Sequence, residues 1–415
     1  MDAATDRPLH VWCVNQAALP PDQPGGTRHV TLAKGMTALD VEMTIVAAPV
    51  HYASGTVYRD AQGRASWTEL VDGVPFVWLA EGGRGRGLAE RLGGMLRFGR
   101  TVARGAWADG LDLQPPDVVV GSSPSLFCAW GAARLARRLG VPFVLEVRDV
   151  WPQSIVDVAG VPSWHPGVVA MRGLERWLYR RAAHVVALLP GAAEHIAARG
   201  GHPDRITWVP NGVDLTGRTA QPVREAPDPL RVVYAGAHGP ANALEAIIDA
   251  ARLVHATHGD SVAFDFYGDG PIKQDLAAMA ADVPTVTFRP GVPKTDVPSI
   301  LNASDVLITN TGDLGLYRHG ISPNKMFDYL ASARPVVSGS AAPRDPIGES
   351  GGGLVVRPND PTALADAVRQ LAGLAVDERG AMGRRGRAFV ETHHEVGVLA
   401  SRLAGALRQA VAFGG

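Results

Sequence analysis

The chain has 415 residues, a formal net charge of −1 and 46% hydrophobic residues. A near-neutral charge argues against a general nucleic-acid binder. Two cysteines, Cys13 and Cys128, are too few for a disulfide framework or a zinc site of closely spaced cysteines. A chain of this length is typical of two or three domains.

The first residues, MDAATDRPLH, lack the basic start and apolar core of a signal peptide. No apolar run reaches the length that crossing a bilayer requires. The sequence therefore predicts a soluble cytoplasmic protein in a reducing compartment, unless a surface contact holds it peripherally on the inner face of the membrane.

Short apolar runs separated by helical patterns fill the first half of the chain. The runs that predict strands are HVWCVNQ, VEMTIVAAP, VPFVWLA, DVVVGSS, PFVLEVRDVW, HVVALLP and ITWVP. Helices are predicted between several of them, as over residues 27–40 and 125–139. Strands that are apolar on both faces and alternate with helices indicate a parallel sheet in an α/β layer fold.

A polar segment without periodicity, residues 211–229, interrupts this alternation and predicts an interdomain linker. Beyond it, strands are predicted at RVVYAG, AFDFYGD, VTFRPG, DVLITN, PVVSGS and GLVVRP, and three helical pieces follow residue 361. We expect Rossmann-like domains over residues 1–210 and 230–395, and a final helix over 396–415 that could pack back on the first domain. Two such domains facing a central cleft would bind ligands at the carboxyl ends of their strands.

The stretch GISPNKMFDYLASARPVV predicts a helix that begins at an anion site. Ser322 is a good N-cap and Pro323 suits the first helical position. The free N–H groups there suit a phosphate, and Asn324 and Lys325 lie in the same turn. Asp328 is a natural acceptor for a ribose diol. The alternative is an ordinary capped helix with a solvated lysine and aspartate.

Three glycine turns follow strands of the second half, and they favour a nucleotide site because they permit close backbone approach. The turns are AGAHG, YGDGP and RPGV, and the candidate donor-binding residues in them are Gly236, His238, Gly268, Gly270, Arg289, Gly291 and Val292. A single glycine turn would be explained equally well as an ordinary connection without a ligand.

In the first half, PPDQPGGTRH follows the first strand and enters a helix. Gly25, Gly26 and Arg28 could admit a second ligand, or form a helix cap with a solvated arginine. EVRDVWPQS ends a buried strand with charges, which are costly there unless paired or used. Arg148 and Asp149 are therefore candidates for the chemistry, or for a simple ion pair.

The order of GGTRH, VPNGVD, YAG, YGDGP, ASDVLI and FDYLASARPVV resembles that of retaining GT-B glycosyltransferases of carbohydrate family four. The combination of PPDQPGGTRH, VRDVWPQS and SPNKMFDYLAS is similar to the branch containing L-fucosamine transferases of bacterial surface polysaccharide assembly. The resemblance implies that the first domain binds an acceptor and the second binds a nucleotide sugar.

The chain departs from the family pattern at charged positions. The family usually carries two glutamates eight positions apart; here Gly320 and Asp328 stand in those places. Its diphosphate-binding Arg and Lys correspond to Ala237 and Asn242. Its His-Asp pair on the first-half strand becomes Arg148 and Asp149, which, together with Lys325, are the predicted catalytic residues.

The resemblance implies a mechanism in which Asp328 binds the donor ribose and the Gly291 turn contacts the base. Ser322, Asn324 and Lys325 would stabilise the leaving diphosphate. The acceptor, a glycan, a lipid-linked sugar or a small natural product, would enter past Gly25, Gly26 and Arg28. The donor expected from the resemblance is UDP-linked and N-acetylated or deoxygenated, and no metal or other cofactor is expected.

Residues 84–104 carry six Arg and one Glu, a local charge of +5 (6 − 1). The simplest interpretation is a helix packed on the sheet with a solvated basic face. The alternative is docking to an anionic membrane through Arg86, Arg97, Arg100 and Arg104.

Two other functions stay open at this point. A nucleotide-sugar epimerase shares the two-domain architecture, but the carboxylates and histidine that it needs for proton transfer are not identifiable. A non-catalytic relative that only holds a nucleotide sugar is suggested by Gly320, Ala237 and Asn242.

Overall fold

The computed structural model describes residues 7–23, 26–51, 55–81, 88–123, 125–225, 228–312 and 315–414. They form two compact units. One comprises Met1–Pro210 with Val396–Gly415, and the other comprises Asn211–Glu395.

The first unit is an α/β structure around one sheet. Its strands are β1 (Leu9–Val14), β2 (Val41–Ala47), β3 (Ser66–Val71), β4 (Val74–Leu79), β5 (Val118–Ser122), β6 (Phe143–Val147), β7 (His184–Ala187) and β8 (Ile206–Trp208). Its helices are α1 (Arg28–Thr37), α2 (Leu88–Arg104), α3 (Leu126–Leu139), α4 (Gln153–Ala159), α5 (Pro166–Arg181), α6 (Ala192–Ala198) and α14 (Val396–Gly414).

The strand order is β3-β4-β2-β1-β5-β6-β7-β8. In the central register Cys13 pairs with Ile45 on one side and with Val120 on the other. All neighbours are parallel except β3 and β4, which form an antiparallel pair at the edge. The predicted parallel sheet is thus confirmed, with one antiparallel strand added at its edge. The sequence of β3, SWTELV, mixes polar and apolar residues and so lacks the continuous apolar run that marked the other strands.

Helices cover both faces of this sheet, which explains why the central strands are apolar on both sides. On one face α14 packs against α1, and Leu403 and Leu407 are buried in that cluster. On the other face α2 packs closely on α3. A Cβ on Gly99 would lie 2.2 Å from the carbonyl oxygen of Phe127, so the two backbones touch there.

Helix α14 corrects the expectation that no apolar run is long enough for a bilayer. Among the described helices it is the one whose length and composition would allow it to cross a membrane. Its buried leucines pack in the first unit, so we interpret it as a core helix.

The second unit is a six-stranded, all-parallel sheet in the order β11-β10-β9-β12-β13-β14. The strands are β9 (Leu230–Ala235), β10 (Val262–Tyr267), β11 (Val286–Arg289), β12 (Val306–Asn310), β13 (Val336–Gly339) and β14 (Gly353–Val356). The helices are α7 (Leu244–His258), α8 (Lys273–Met279), α9 (Val297–Asn302), α10 (Asn324–Ala331), α11 (Pro346–Ser350), α12 (Pro361–Gly373) and α13 (Val376–His393). Every strand predicted in this half is present, and so are the three helical pieces after residue 361.

Residues 211–229, which the sequence predicts to be a linker, are counted within the second unit. Arg224 forms an ion pair with the buried Asp305. Arg334 donates to the carbonyls of Gln221 at 2.9 Å and Pro222 at 3.1 Å. These bonds fix the described part of the segment on the second sheet.

In each sheet the chain reverses its direction of growth once, between β1 and β5 in the first unit and between β9 and β12 in the second. Such switch points leave a crevice at the carboxyl ends of the strands, where open α/β sheets bind ligands. The β9–β12 switch point is therefore an expected place for a ligand in the second unit.

Candidate functional site

Helix α10 begins beside the β9–β12 switch point. Its first residue is Asn324 and its N-cap is Pro323, with no side-chain cap. The prediction that Ser322 caps this helix was wrong: the Ser322 hydroxyl accepts from the backbone N–H of Asn211 at 2.8 Å. The side-chain amide of Asn211 also donates to the Ser322 carbonyl at 2.6 Å. No side chain caps the first turn. Of its backbone donors, the N–H of Met326 donates to the carbonyl of Pro323 at 3.2 Å.

Lys325, in the first turn of α10, reaches across to the loop that follows β9. Its Nζ donates to the hydroxyl of Tyr234 at 2.9 Å and to the side-chain oxygen of Asn242 at 2.6 Å. It also lies 4.7 Å from the centre of the Tyr234 ring. The Tyr234 hydroxyl and the Asn242 amide both donate to the carbonyl of Ala237. The ammonium group is thus placed on the loop where the resembled family carries its diphosphate-binding cations.

Burial makes this lysine unusual. It lowers the pKa of Lys325 to about 7, since its neighbours are neutral hydroxyl and amide groups and not carboxylates. Burial also raises the pKa of Tyr234, so that the phenol stays protonated. A lysine in this state would gain charge when an anion binds beside it.

The glycine turns after β9 and β10 pack on each other. A Cβ on Gly268 would lie 1.9 Å from the carbonyl oxygen of Gly236, and one on Gly270 would lie 2.1 Å from that of His238. Gly268 also has a φ of +141°, which side-chain-bearing residues rarely adopt. These glycines are required for contact between loops, and so they build the wall of the site.

Lys273 and Asp269 hold the third turn in place. The Lys273 ammonium donates to the carbonyls of Gly268 and Arg289 and to the carboxylate of Asp269, at 2.8–2.9 Å. Asp269 in turn accepts from the backbone N–H of Gly291 at 2.9 Å. This bond engages the Gly291 N–H, and the contact of Gly291 and Val292 with a base stays a prediction.

Two other predicted donor residues are engaged or enclosed. Arg289 donates from Nε to Asp265 at 2.9 Å. His238 is fully buried, and neither ring nitrogen has a hydrogen-bond partner among the described residues. Burial lowers the pKa of His238, so the imidazole is neutral near pH 7.

Asp328 lies one helical turn beyond Lys325 and is held by Arg218. The Arg218 guanidinium donates to Oδ1 of Asp328 at 2.8 Å. Asp328 also acts electrostatically on Lys294, in the loop after β11, whose pKa is lowered by burial and raised in part by this carboxylate. The predicted ribose residue thus lies near the β11 loop, and sequence reasoning missed its partner Arg218.

Gly320 stands where the resembled family usually has a carboxylate. Its φ is +92°, in the region that favours glycine. Its backbone N–H donates to the carbonyl of Tyr317 at 2.9 Å. The loss of the side chain therefore accompanies a tight turn that a glutamate would rarely adopt.

In the first unit, the predicted acceptor residue Arg28 belongs to a buried polar network around Glu146. Its Nε donates to Glu146 at 2.9 Å, and its other nitrogens donate to the carbonyls of Pro210 and Val209. Arg28 is only 7% exposed. These contacts give it an internal ion-pair role and argue against the predicted acceptor contact.

His29 and Ser122 complete this network. Asn15 donates to Nδ1 of His29 at 3.2 Å, which leaves the proton on Nε2 to be donated to Glu146 at 2.7 Å. Ser122 donates to the same carboxylate at 2.5 Å. Burial alone would raise the pKa of Glu146, but the adjacent His29 and Arg28 hold it well below the usual range. The charged residues in EVRD predicted a polar strand end. The pairing of Glu146 with Arg28 and His29 could not be predicted, because only the fold brings these residues together.

Arg148 and Asp149 follow Glu146 at the carboxyl end of β6. The Nε of Arg148 is buried and has no hydrogen-bond partner among the described residues. Burial raises the pKa of Asp149, and Arg148 opposes this shift. Both are half-buried at the strand end, and their catalytic role stays a prediction. Gly26 lies in the turn before α1, whereas Gly25 lies outside the described residues.

The basic stretch forms helix α2 from Leu88 onwards, with Arg97, Arg100 and Arg104 exposed. Arg97 approaches Glu81 at 4.0 Å. Arg86 lies outside the described residues. The helix is packed on the sheet with a solvated basic face, as the simpler interpretation predicted.

Two further features are the arrangement of possible metal ligands and the state of the two cysteines. Within the described ranges, no group of three or more His, Cys, Asp or Glu is arranged to hold a metal ion. Cys13 and Cys128 are buried and reduced.

Comparison with known families assigns both parts of the chain to glycosyltransferases. Residues 25–212 match a family model described as a glycosyl transferase 4-like domain. Residues 229–373 match the model for glycosyl transferases group 1.

Two relatives with assigned names are also glycosyltransferases. A 2-deoxystreptamine glucosyltransferase from Streptomyces kanamyceticus is 28% identical over 53% of this chain and 61% of its own length. The chain therefore matches less than two thirds of that relative. A probable glycosyltransferase, WbjE, from Pseudomonas aeruginosa is 25% identical over 65% of this chain and 69% of its own length.

Solved structures share the fold over nearly the whole chain. Sucrose-phosphate synthase from Thermosynechococcus elongatus has a TM-score of 0.74 at 15% identity and covers 98% of this chain and 99% of its own. HepE from Anabaena, solved in complex with UDP-glucose, has a TM-score of 0.64 at 14% identity, with coverage of 96% and 99%. Because both parts match glycosyltransferase models and the whole shares this two-domain fold, the chain belongs to the glycosyltransferases of the GT-B type.

Proposed function

We propose that the protein is a retaining glycosyltransferase that moves a sugar from a UDP-linked donor to a hydroxyl group of a glycan or small-molecule acceptor. The position of Lys325 carries this proposal. Its ammonium group lies against the loop after β9, and that loop, AGAHGPAN, contains no lysine or arginine of its own. Support for a UDP-sugar donor comes from HepE, which was solved with UDP-glucose.

The proposed donor site is built from the second unit. The uncapped first turn of α10 and Lys325 would neutralise the leaving diphosphate, where negative charge develops. Asn324 is exposed at that turn and would donate to a phosphate oxygen. Asp328 would accept from the ribose hydroxyls through Oδ2, while Arg218 keeps Oδ1.

The proposed acceptor side lies at the strand end of β6 in the first unit. Asp149, with its raised pKa, and Arg148, with its unpartnered Nε, are the groups that would orient an acceptor hydroxyl or donor oxygens. Retention would follow if the donor diphosphate itself takes the acceptor's proton. Independence from metal ions, a cytoplasmic location and an N-acetylated donor sugar stay parts of this proposal.

The test is turnover with a panel of nucleotide sugars, each with and without glycan and aminocyclitol acceptors. We expect sugar transfer only when an acceptor is present, with the anomeric configuration of the donor kept in the product by NMR. Conversion of the donor sugar in the absence of acceptor would instead identify an epimerase. Donor binding without any turnover across the panel would identify a non-catalytic relative.

The Lys325→Ala variant tests the site within this assay. We expect transfer to fall at least tenfold, because one charge-assisted hydrogen bond to phosphate is worth about 1.5–3 kcal/mol. Lys34→Ala is the matched control, since Lys34 is an exposed lysine of the first unit paired with Asp72. Unchanged turnover of Lys325→Ala would remove this residue from the mechanism.

A further inference from the structure

A cavity of about 190 Å³ opens in the first unit, at the amino ends of its strands and therefore on the sheet edge opposite their carboxyl ends. It lies between the last turns of α3 and α5 and the turn that enters β6. Its walls include the apolar side chains of Val141, Phe143 and Trp177. None of its lining residues belongs to the proposed donor or acceptor site.

Three arginines line the cavity: Arg134 and Arg137 from α3, and Arg181 from α5. All three are exposed, and in the part of the chain that the structure describes none of them has a carboxylate partner. Arg181 is placed over the ring of Trp177 at 5.8 Å. Uncompensated guanidinium groups on one rim repel each other, and a bound anion would relieve that repulsion.

Part of this arrangement has a simpler cause, because cations in the last turn of a helix interact favourably with its dipole. That effect accounts for Arg137 and Arg181 at helix ends, but it does not require an open cavity or an indole wall. The lining combines a triple positive rim with an apolar floor, and no acidic residue belongs to it. This pairing of features suits one kind of ligand, an anion carried on a small apolar body.

We propose that this cavity, which we call the arginine-rim pocket, is a second ligand site that binds a phosphate ester with a small apolar group. The phosphate would be held by Arg134, Arg137 and Arg181, which suit phosphate through bidentate hydrogen bonds. The apolar group would lie against Trp177 and Phe143. The volume is below the roughly 300–1,000 Å³ of common ligand pockets, so the ligand is small or is the end group of a larger molecule.

The experiment is calorimetric titration of the full chain with phenyl phosphate, with inorganic phosphate and benzyl alcohol as matched partial probes. We expect phenyl phosphate to bind at least tenfold more tightly than either partial probe. The variant Arg134→Gln/Arg137→Gln/Arg181→Gln should lose at least tenfold of that affinity. The control variant Arg97→Gln/Arg100→Gln/Arg104→Gln removes the same charge from α2 and should bind like the wild type.

Equal loss of affinity in both triple variants would overturn the proposal, since it would show general charge attraction. Complete displacement of phenyl phosphate by UDP, with no effect of the rim substitutions, would place the probe in the donor site and would also overturn it. Should the rim triple variant fail to fold, Arg137→Gln and Trp177→Ala measured singly must each weaken binding for the proposal to stand.

A soluble ester and a phospholipid headgroup share this chemistry, and flotation with phosphatidylglycerol vesicles separates them. A soluble ligand predicts phenyl phosphate binding with equal flotation of the rim and α2 variants. A lipid ligand predicts flotation that the rim variant alone loses. If phenyl phosphate does not bind and flotation does not depend on the rim arginines, the pocket is refuted as a ligand site.

Discussion

Lys325 has neutral partners, Tyr234 and Asn242, and burial lowers its pKa to about 7. In the free protein it therefore loses its proton as the pH rises through neutrality. A diphosphate favours the protonated form, so binding should take up a proton above pH 7. We predict that UDP affinity falls by up to about tenfold per pH unit between pH 7 and 9, as long as the bound lysine remains protonated.

Isothermal titration in buffers of different ionisation enthalpy measures this proton uptake directly. Lys325→Arg is the control, because a guanidinium stays charged throughout this range. In that variant the lysine-linked proton uptake should disappear. The same pH dependence in both proteins would contradict the assignment to Lys325.

Glu146 is the buried carboxylate to which Arg28, His29 and Ser122 all donate. Its pKa is held well below the usual range, so its contribution to stability is present above the ordinary carboxyl pKa and is lost as the pH falls through the lowered value. We predict that Glu146→Gln destabilises the protein by about 3–5 kcal/mol at pH 7, because Arg28 would be left as a buried unpaired charge. Urea unfolding measures this, with the exposed Glu42→Gln as control; equal midpoints in the two variants would refute the structural role.

The position of an individual residue could be predicted from the sequence only where that residue lies in a local motif. The position of Lys325 in the first turn of a helix was predicted from SPNK, and the helix is there. The partners Tyr234 and Arg218 were not predictable, because they lie far from Lys325 and Asp328 in the chain. Arg28 was expected to face a ligand because it follows a glycine turn. Its buried ion pair with Glu146 could not be predicted, because the two residues are far apart in the chain.

At the scale of loops and helices, the glycine turns after β9 and β10 depend on direct backbone contact. Gly268→Ala would place a methyl group 1.9 Å from the carbonyl oxygen of Gly236 and would strain a φ of +141°. We predict a loss of more than about 1 kcal/mol of stability and a clear loss of UDP binding. Gly239→Ala is the control in the same loop, since nothing lies within 4 Å of its Cβ position; thermal unfolding with and without UDP compares the two.

Helix α14 offers a test of its own placement. Leu407 is fully buried, and truncation of a buried leucine to alanine usually costs about 2–5 kcal/mol. We predict a loss of this size for Leu407→Ala in urea unfolding, and little change for the exposed Gln409→Ala. An unchanged free energy of unfolding in Leu407→Ala would contradict the packing of α14 in the first unit.

Most elements were predictable because the strands are continuous apolar runs and the helices between them are periodic. Strand β3 was missed because it lies at the sheet edge with exposed residues, so its sequence, SWTELV, mixes polar and apolar residues and lacks such a run. The start of α10 was misplaced because Ser322 resembles an N-cap, whereas its hydroxyl accepts from Asn211. Capping rules use only neighbouring residues, so they cannot predict that a residue distant in the chain, here Asn211, engages the serine hydroxyl.

At the scale of the whole molecule, two Rossmann-like units share one design, a sheet with one reversal in strand order and glycine-rich or polar loops at its carboxyl edge. The alternation of strands and helices predicted this design. The role of residues 211–229 was less predictable: a polar stretch without periodicity looks like a linker, yet Arg224 and the backbone near Gln221 bind the second sheet. Such bonds depend on buried partners, Asp305 and Arg334, that only the fold brings close.

We expect the second unit to bind a nucleoside diphosphate through the first turn of α10. Calorimetric titration of UDP at pH 7 into the wild type, Lys325→Ala and the control Lys34→Ala measures this binding. We predict that Lys325→Ala binds UDP about 10- to 100-fold more weakly, as expected for one lost charged hydrogen bond, while Lys34→Ala is unchanged. Equal affinities in all three proteins would contradict this expectation.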